Sequence, residues 1–174
     1  MYTVPSDIEF KQASVEEWPI IQSIAYTTWP AAYGHLISKE QLNYMLELNY
    51  SEQSIMNQML VMKHEFIIAF REERPVGFTS IERNYKDAKQ LMIHKLYVLP
   101  AYQGKGYGKK FIDHISKWAL GSENNSLCLK VFHKNKNGIS FYKTLGFSII
   151  SEHKTVLGNG YEVLDYVMVK NIRM

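Results

Sequence analysis

Three glycines in five positions, Gly104, Gly106 and Gly108, separate a β-rich run from an amphipathic helical pattern. The run is Leu91 to Leu99, stopped by Pro100; beyond the glycines, Phe111, Ile112, Ile115, Trp118 and Ala119 recur at helical spacing. Such a strand–turn–helix can converge backbone N–H groups on an anion at the helix N-terminus, where the helix dipole adds to the attraction. Lys105, Lys109 and Lys110 add positive charge around the same loop. It is not a Walker A loop, because Gly104 lies only four residues before Gly108 and Lys110 stands where Ser or Thr is required. Nor is it a dinucleotide fingerprint, since Lys109 occupies the place of the third glycine. The pattern points to a phosphate site of another kind.

Composition narrows the rest. With 174 residues, 46% hydrophobic and 21% charged, the chain has ample material for a core, which excludes wholesale disorder. Its longest strongly apolar run, Phe66 to Phe70, is five residues, against the ~20 needed to cross a bilayer. The first residues, Met1 to Asp7, carry neither a basic n-region nor an apolar h-region, so no signal peptide is expected. The single cysteine, Cys128, fits a reducing cytoplasm, and no membrane partner is expected. Net charge is +3 but unevenly spread: Lys95 to Leu145 holds nine lysines and two carboxylates, leaving the remainder at −4. A basic half suits an anionic ligand and an acidic remainder a cationic one. No nucleic-acid reader motif accompanies the lysines, so nucleic acid is not an expected partner.

No repeat, low-complexity tract or linker divides the chain, which reads as one domain over residues 1–174. Ile8 to Ala13 alternates like a strand. Ser14 with Glu17 forms a capping box opening a helix through about Thr28, closed by Trp29-Pro30. Ser38 with Gln41 opens a second, with Leu42, Met45, Leu46 and Leu48 as its apolar stripe, and Ile55 to Met62 continues as helix. Then β-rich runs take over at Glu65–Arg71 and Val76–Arg83, joined by Glu72 to Pro75. After the glycine loop and its helix come a strand at Leu127–Phe132 and a short helix at Gly138–Leu145 stopped by Gly146. A final hairpin turns at Gly158-Asn159-Gly160.

The stretch Leu96-Tyr97-Val98-Leu99-Pro100-Ala101-Tyr102-Gln103-Gly104-Lys105-Gly106-Tyr107-Gly108 resembles the signature of the GCN5-related N-acetyltransferase superfamily. Asn135 to Phe147 is similar to its second motif, Asn-x-x-Ala-x-x-Phe-Tyr-x-x-x-Gly-Phe, with Gly138 in place of the alanine, a change expected to have no consequence. The likeness is good from Glu65 to Lys170 and looser before it, where it leans towards bacterial polyamine and small-amine acetyltransferases. It implies an α+β fold: a mixed, mostly antiparallel sheet of about seven strands, about four helices on both faces, and a splay between the fourth and fifth strands.

The resemblance implies an acetyl-CoA-dependent N-acetyltransferase acting by direct transfer on a primary amine of a small, polyamine-like or otherwise cationic molecule. Backbone of Gly104, Lys105, Gly106, Tyr107, Gly108 and Lys109 would hold the pyrophosphate, with Gln103 in the same motif. Leu96, Tyr97 and Val98 would pair with the pantetheine arm, the Val98 N–H facing the thioester carbonyl, and Asn135 would contact the cofactor. Tyr142 matches the general acid that protonates the departing thiolate, although an aromatic there could also be core. His94, read as sharing a strand face with Leu96 and Val98, is the candidate base; it would give kcat/KM an inflection at about 6–8. A water chain is the rival, with Glu82 and Asp165 next. Trp29 and Tyr33 are the candidate acceptor wall, joined by Glu40, Tyr44, Glu162 and Asp165; aromatics with carboxylates suit a cationic amine. His35, His64, His114, His133 and His153 lack metal-ligand spacing, so no metal is expected, and Cys128 reads as packing. Two alternatives stay open, a non-catalytic CoA-binding module and a protein or peptide N-terminal acetyltransferase, as does assembly as a homodimer.

Overall fold

The structure is a computed structural model describing residues 8–173; the reading of Met1 to Asp7 lies outside them. Strands β1 (Glu9–Gln12), β2 (Glu65–Arg71), β3 (Arg74–Glu82), β4 (Gln90–Val98), β5 (Ser126–Phe132), β6 (Ser148–Gly158) and β7 (Tyr161–Asn171) form one sheet in the order β1-β2-β3-β4-β5-β7-β6. All neighbours are antiparallel except β4 and β5, which run parallel. Helices α1 (Trp18–Tyr33), α2 (Lys39–Tyr50), α3 (Glu52–Leu60), α4 (Tyr107–Gly121) and α5 (Lys136–Thr144) cover the two faces. This is the expected mixed α+β sheet with one more helix. Ser51 supplies it: extended backbone there ends α2, and its Oγ caps α3 by accepting from Ser54 N–H at 3.2 Å.

Each face has its own core. On one side Ile67, Ile81, Leu91, Leu127 and Leu129 of the sheet bury against Ile112 and Ile115 of α4. On the other, Phe66, Ile68 and Phe78 bury against Ile21, Ile24, Leu46, Tyr50 and Ile55 of α1–α3.

Two boundaries differ from the sequence reading. The Ser14–Glu17 capping box forms, with Ser14 N–H donating to Glu17 Oε1 at 3.0 Å, but α1 continues through Pro30 to Tyr33. Proline removes one helical donor, and the acceptor it would have served is the carbonyl of Tyr26, a residue 41% exposed and open to water. Packing of Trp29, 6% exposed, and of Tyr33 outweighs the local penalty of ~3 kcal/mol. On α2, Leu48 is exposed and Tyr50 takes the buried place expected of it. The β2–β3 turn is also tighter than expected: Glu72 and Glu73, at φ 47° and 63°, turn the chain alone, as a right-handed strand pair prefers.

Two irregularities of β4 build the site. First, Ser80 pairs with Lys95 and Ile81 with Ile93, so His94 is the extra residue of a bulge. Second, the β4–β5 pairing stops at Ile93↔Leu129, although β4 runs to Val98 and β5 to Phe132. The two parallel strands splay beyond that point. Leu99 N–H bonds to Val76 carbonyl at 2.9 Å, so Leu99 and Tyr97 turn their backbone groups to β3, while Leu96 and Val98 turn theirs into the opening.

Candidate active site

A cavity of about 1190 Å³ runs through the splay, from the glycine loop to the space beneath α1 and α2. Its glycine-loop end is made of backbone. Gly106 caps α4 at φ 83° and Gly104 sits at φ 74°, left-handed conformations that glycine adopts without strain. The start of α4 leaves the N–H groups of Gly108 and Lys109 without intrahelical acceptors. Gly108 has a different reason to be glycine, since a Cβ there would lie 2.8 Å from the Phe141 ring. Gln103 Nε2 donates to the Val98 carbonyl at 2.9 Å, tying the loop to the end of β4. Tyr107 is buried in the core at the start of α4. Lys109 pairs with Asp113 at 2.8 Å, and the Lys105 ammonium lies 5.7 Å from the Tyr102 ring.

Asn135 and Tyr142 come from α5. Asn135 Oδ1 accepts from Gly138 N–H at 3.0 Å and caps the helix. A methyl on residue 138 would sit 2.6 Å from Asn135 Nδ2, a contact with the end of a flexible side chain. Tyr142 borders the cavity and packs on Phe147 at 5.5 Å. Burial raises its phenol pKa, with Tyr33 adding to the effect, so it holds its proton throughout the neutral range.

The opposite side, beneath α1 and α2, is built from side chains. Tyr33 and Tyr97 hydroxyls meet at 3.3 Å, and Trp29 packs on both rings at 4.8 and 6.1 Å. Trp29 is thus chiefly core with one edge on the cavity, while Tyr33 is true wall. Asp165 of β7 also lines the cavity; burial raises its carboxyl pKa against the opposing pull of Lys130, His153 and His133. Three expected wall residues lie elsewhere. Glu40 is exposed on the first turn of α2, Tyr44 Oη donates to Leu157 carbonyl at 2.9 Å, and Glu162 pairs with Lys154 at 3.0 Å. Tyr44 therefore docks α2 on the β6–β7 hairpin. Helical register explains the two on α2, because neighbouring helical positions face different directions; Glu162 lies on β7 three residues before Asp165, and strand alternation puts the two on opposite faces.

His94 does not share a face with Leu96 and Val98. Those two pack on the α4 side, whereas the bulge turns His94 onto His64, the rings stacking at 4.0 Å. Its Nε2 lies 2.7 Å from Glu82 Oε2, and His64 Nε2 lies 3.4 Å from the same oxygen. Burial first, then the cations Lys95 and Lys130, pushes His94 down to about 4. Burial, His94 and Lys95 push His64 down to about 4 as well. Both imidazoles are neutral at pH 7, so any His94 inflection falls near 4 and not at 6–8. His64, Glu82 and His94 bring ligand atoms within 4.8 Å of one another, an arrangement suited to a metal ion that their spacing in sequence hid. Cys128 is buried, its thiol pushed up to about 11 by burial and donating to Met92 Sδ at 3.3 Å, so it is packing and not a nucleophile.

A parallel pair splayed over a glycine-capped helix, in a mostly antiparallel sheet, defines an acyl-transferase type of fold. The profile of the Acetyltransferase (GNAT) family matches residues 18–147, and the chain belongs to that family. It is 25% identical over 146 residues to spermidine N(1)-acetyltransferase of Thermoplasma acidophilum, covering 82% of this chain and 89% of that one. It is 30% identical to mouse thialysine N-epsilon-acetyltransferase over 74 residues, covering 42% of this chain and 44% of that one. Among solved structures, PaiA N-acetyltransferase from T. acidophilum in complex with coenzyme A superposes with TM-score 0.79 at 23% identity, covering 95% of this chain and 99% of that one. Among the described residues, no helix is long and apolar enough to cross a membrane.

Proposed function

We propose that this chain is a single-domain N-acetyltransferase that moves the acetyl group of acetyl-CoA to a primary amine of a small molecule. The observation that carries the reading is the opening beyond Ile93↔Leu129, with the glycine loop at one end and Tyr142 beside it. The coenzyme A in the PaiA structure and the amine substrates in the relatives' names support the same chemistry.

Each part has a physical role. N–H groups of the glycine loop hold the pyrophosphate of the donor. Leu96 and Val98 have backbone groups turned into the opening, where they pair with the pantetheine arm. Val98 N–H then donates to the thioester oxygen as the amine adds to its carbonyl carbon, a contribution of ~3 kcal/mol where such donors have been removed. The tetrahedral adduct collapses with cleavage of the C–S bond, and Tyr142 gives its proton to the departing thiolate. The amine's proton goes to His94 Nδ1, because Nε2–H is engaged by Glu82 Oε2; Glu82 thereby fixes the tautomer. Tyr33, Tyr97 and Asp165 surround the ammonium form before it loses that proton. We propose that the His64–Glu82–His94 group works without metal, since the nearby Lys95 cation that depresses both imidazoles also opposes a dication.

A thiol-release screen of polyamines, arylalkylamines, aminoglycosides, amino acids and peptides with free α-amines tests the reading, alongside the melting temperature with acetyl-CoA. Turnover of at least one amine and a clear upward shift are expected. An empty screen with no shift sinks it.

A further inference from the structure

Lys95 points into the molecule. Its ammonium lies between β4 and α3, donates to Gln58 Oε1 at 2.6 Å, and sits 5.8 and 6.0 Å from the rings of Tyr50 and Phe66, both buried. Gln58 is neutral and the rings offer only dipoles, so the local structure supplies no opposite charge. No ion pair to Lys95 occurs among the described residues, and the carboxylate of Glu82 is already engaged by two histidines. An ammonium has three donors, and among the described residues one hydrogen bond from Lys95 Nζ is found. An uncompensated interior cation opposes folding, and replacing it by an apolar group of similar size is commonly neutral or stabilising. Burial accordingly lowers the Lys95 pKa to about 8, which still leaves it charged at pH 7.

Lys95 is also one of the residues lining the cavity, as are Asn49 and Tyr50. The cavity therefore has opposite characters at its two acceptor-side positions. Near Tyr142 stand Tyr33 and Asp165, which suit an ammonium; further back along β4 stands one positive charge with two donors unused among the described residues. Lys95 precedes Val98 by three positions, or ~10 Å along the strand.

We infer that Lys95 binds a carboxylate carried by the acceptor, several bonds away from the amine that is acetylated. A single cation matches a monoanion. This rests on the acetyltransferase reading and narrows its acceptor from amines at large to amino acids and their derivatives. A polyamine of the same length would place a second ammonium against Lys95, and like charges in a confined site repel.

Three acceptors with the same primary amine and the same carbon chain test this: 6-aminohexanoate, hexylamine and 1,6-diaminohexane, whose far ends are anionic, neutral and cationic. The expected order of kcat/KM is aminohexanoate first and the diamine last, with at least ~10-fold between the extremes, equal to 1.4 kcal/mol. Lys95→Met should flatten that order while raising the melting temperature of the free protein; Lys95→Arg should keep it. Equal rates for the three, the diamine leading, or an acid-free amine as best acceptor in the wider screen would overturn the inference. So would an order unchanged in Lys95→Met, or no turnover of any amine while acetyl-CoA still raises the melting temperature. No turnover together with no acetyl-CoA shift fails the acetyltransferase reading itself.

Discussion

The donor and acceptor ends of the cavity are made of different materials. The donor end is backbone: glycines at φ 74° and 83°, the first turn of α4, and strand edges left unpaired by the splay. The acceptor end is side chains brought together from far apart, Tyr33 with Tyr97, Glu82 with His94, Gln58 with Lys95. A backbone site needs only glycine and helix-forming residues in the right order, so it can serve many chains unchanged. A side-chain site can be rebuilt residue by residue without disturbing the loop. On the function proposed above, the difference separates binding of a shared donor from choice of acceptor.

The largest expected effect comes where the two ends meet. Tyr142→Phe keeps the ring on Phe147 but removes the acidic proton, so kcat should fall by ~10²–10⁴-fold with the acetyl-CoA melting shift intact. Normal turnover would make Tyr142 a packing residue.

Next in size is a contrast between two glycines. At Gly106 there is space for a Cβ but φ is 83°, so Gly106→Val should distort the loop and abolish the acetyl-CoA shift, worth about 2.7 kcal/mol at a hundredfold excess over Kd. Gly108→Ala should instead lower the melting temperature of the free protein, because it pushes on Phe141. The same outcome for both would erase the distinction between a ligand glycine and a packing glycine.

On the acceptor side, Glu82→Gln should reduce kcat/KM by about tenfold at neutral pH, less than the ~10²–10⁴-fold of losing a general base outright, because Glu82 only orients His94. His94→Gln should remove the inflection near pH 4 and leave the rise due to the amine's own ionisation, at about 10 for an alkylamine. Should that lower inflection survive in His94→Gln, another group titrates there and Asp165 becomes the first to test.

Smaller still is a stability effect shared by the two stacked imidazoles. His64 and His94 are held down to about 4 from an ordinary 6.5, and unfolding returns both to the ordinary value. Between those pH values the unfolded chain binds more protons, so stability is full above 6.5 and declines as pH falls towards 4. Melting temperatures across that window should show the decline, and His94→Gln should lessen it. Smallest of all, EDTA should leave turnover unchanged; a loss restored by zinc would assign the His64–Glu82–His94 group to a metal.

Local physics wrote much of this protein directly into its sequence. Period-two and helical patterns mark the strands and helices, Ser14 and Ser38 mark helix starts, and Gly104, Gly106 and Gly146 mark the left-handed turns. All of these depend on residues within a few positions of one another. Tertiary structure decided what depends on distant partners. Pro30 stays inside α1 because Trp29 and Tyr33 have a core to enter, and Tyr44 belongs to a hairpin more than a hundred residues away at Leu157. His94 changes face through a bulge whose other strand carries Ser80 and Ile81. Lys95 looks in sequence like one more surface lysine among nine, and only its burial against Gln58, Tyr50 and Phe66 marks it as unusual. Backbone conformation follows from near neighbours, whereas the charge balance and hydrogen bonding of an interior group depend on whichever strands and helices the fold sets around it.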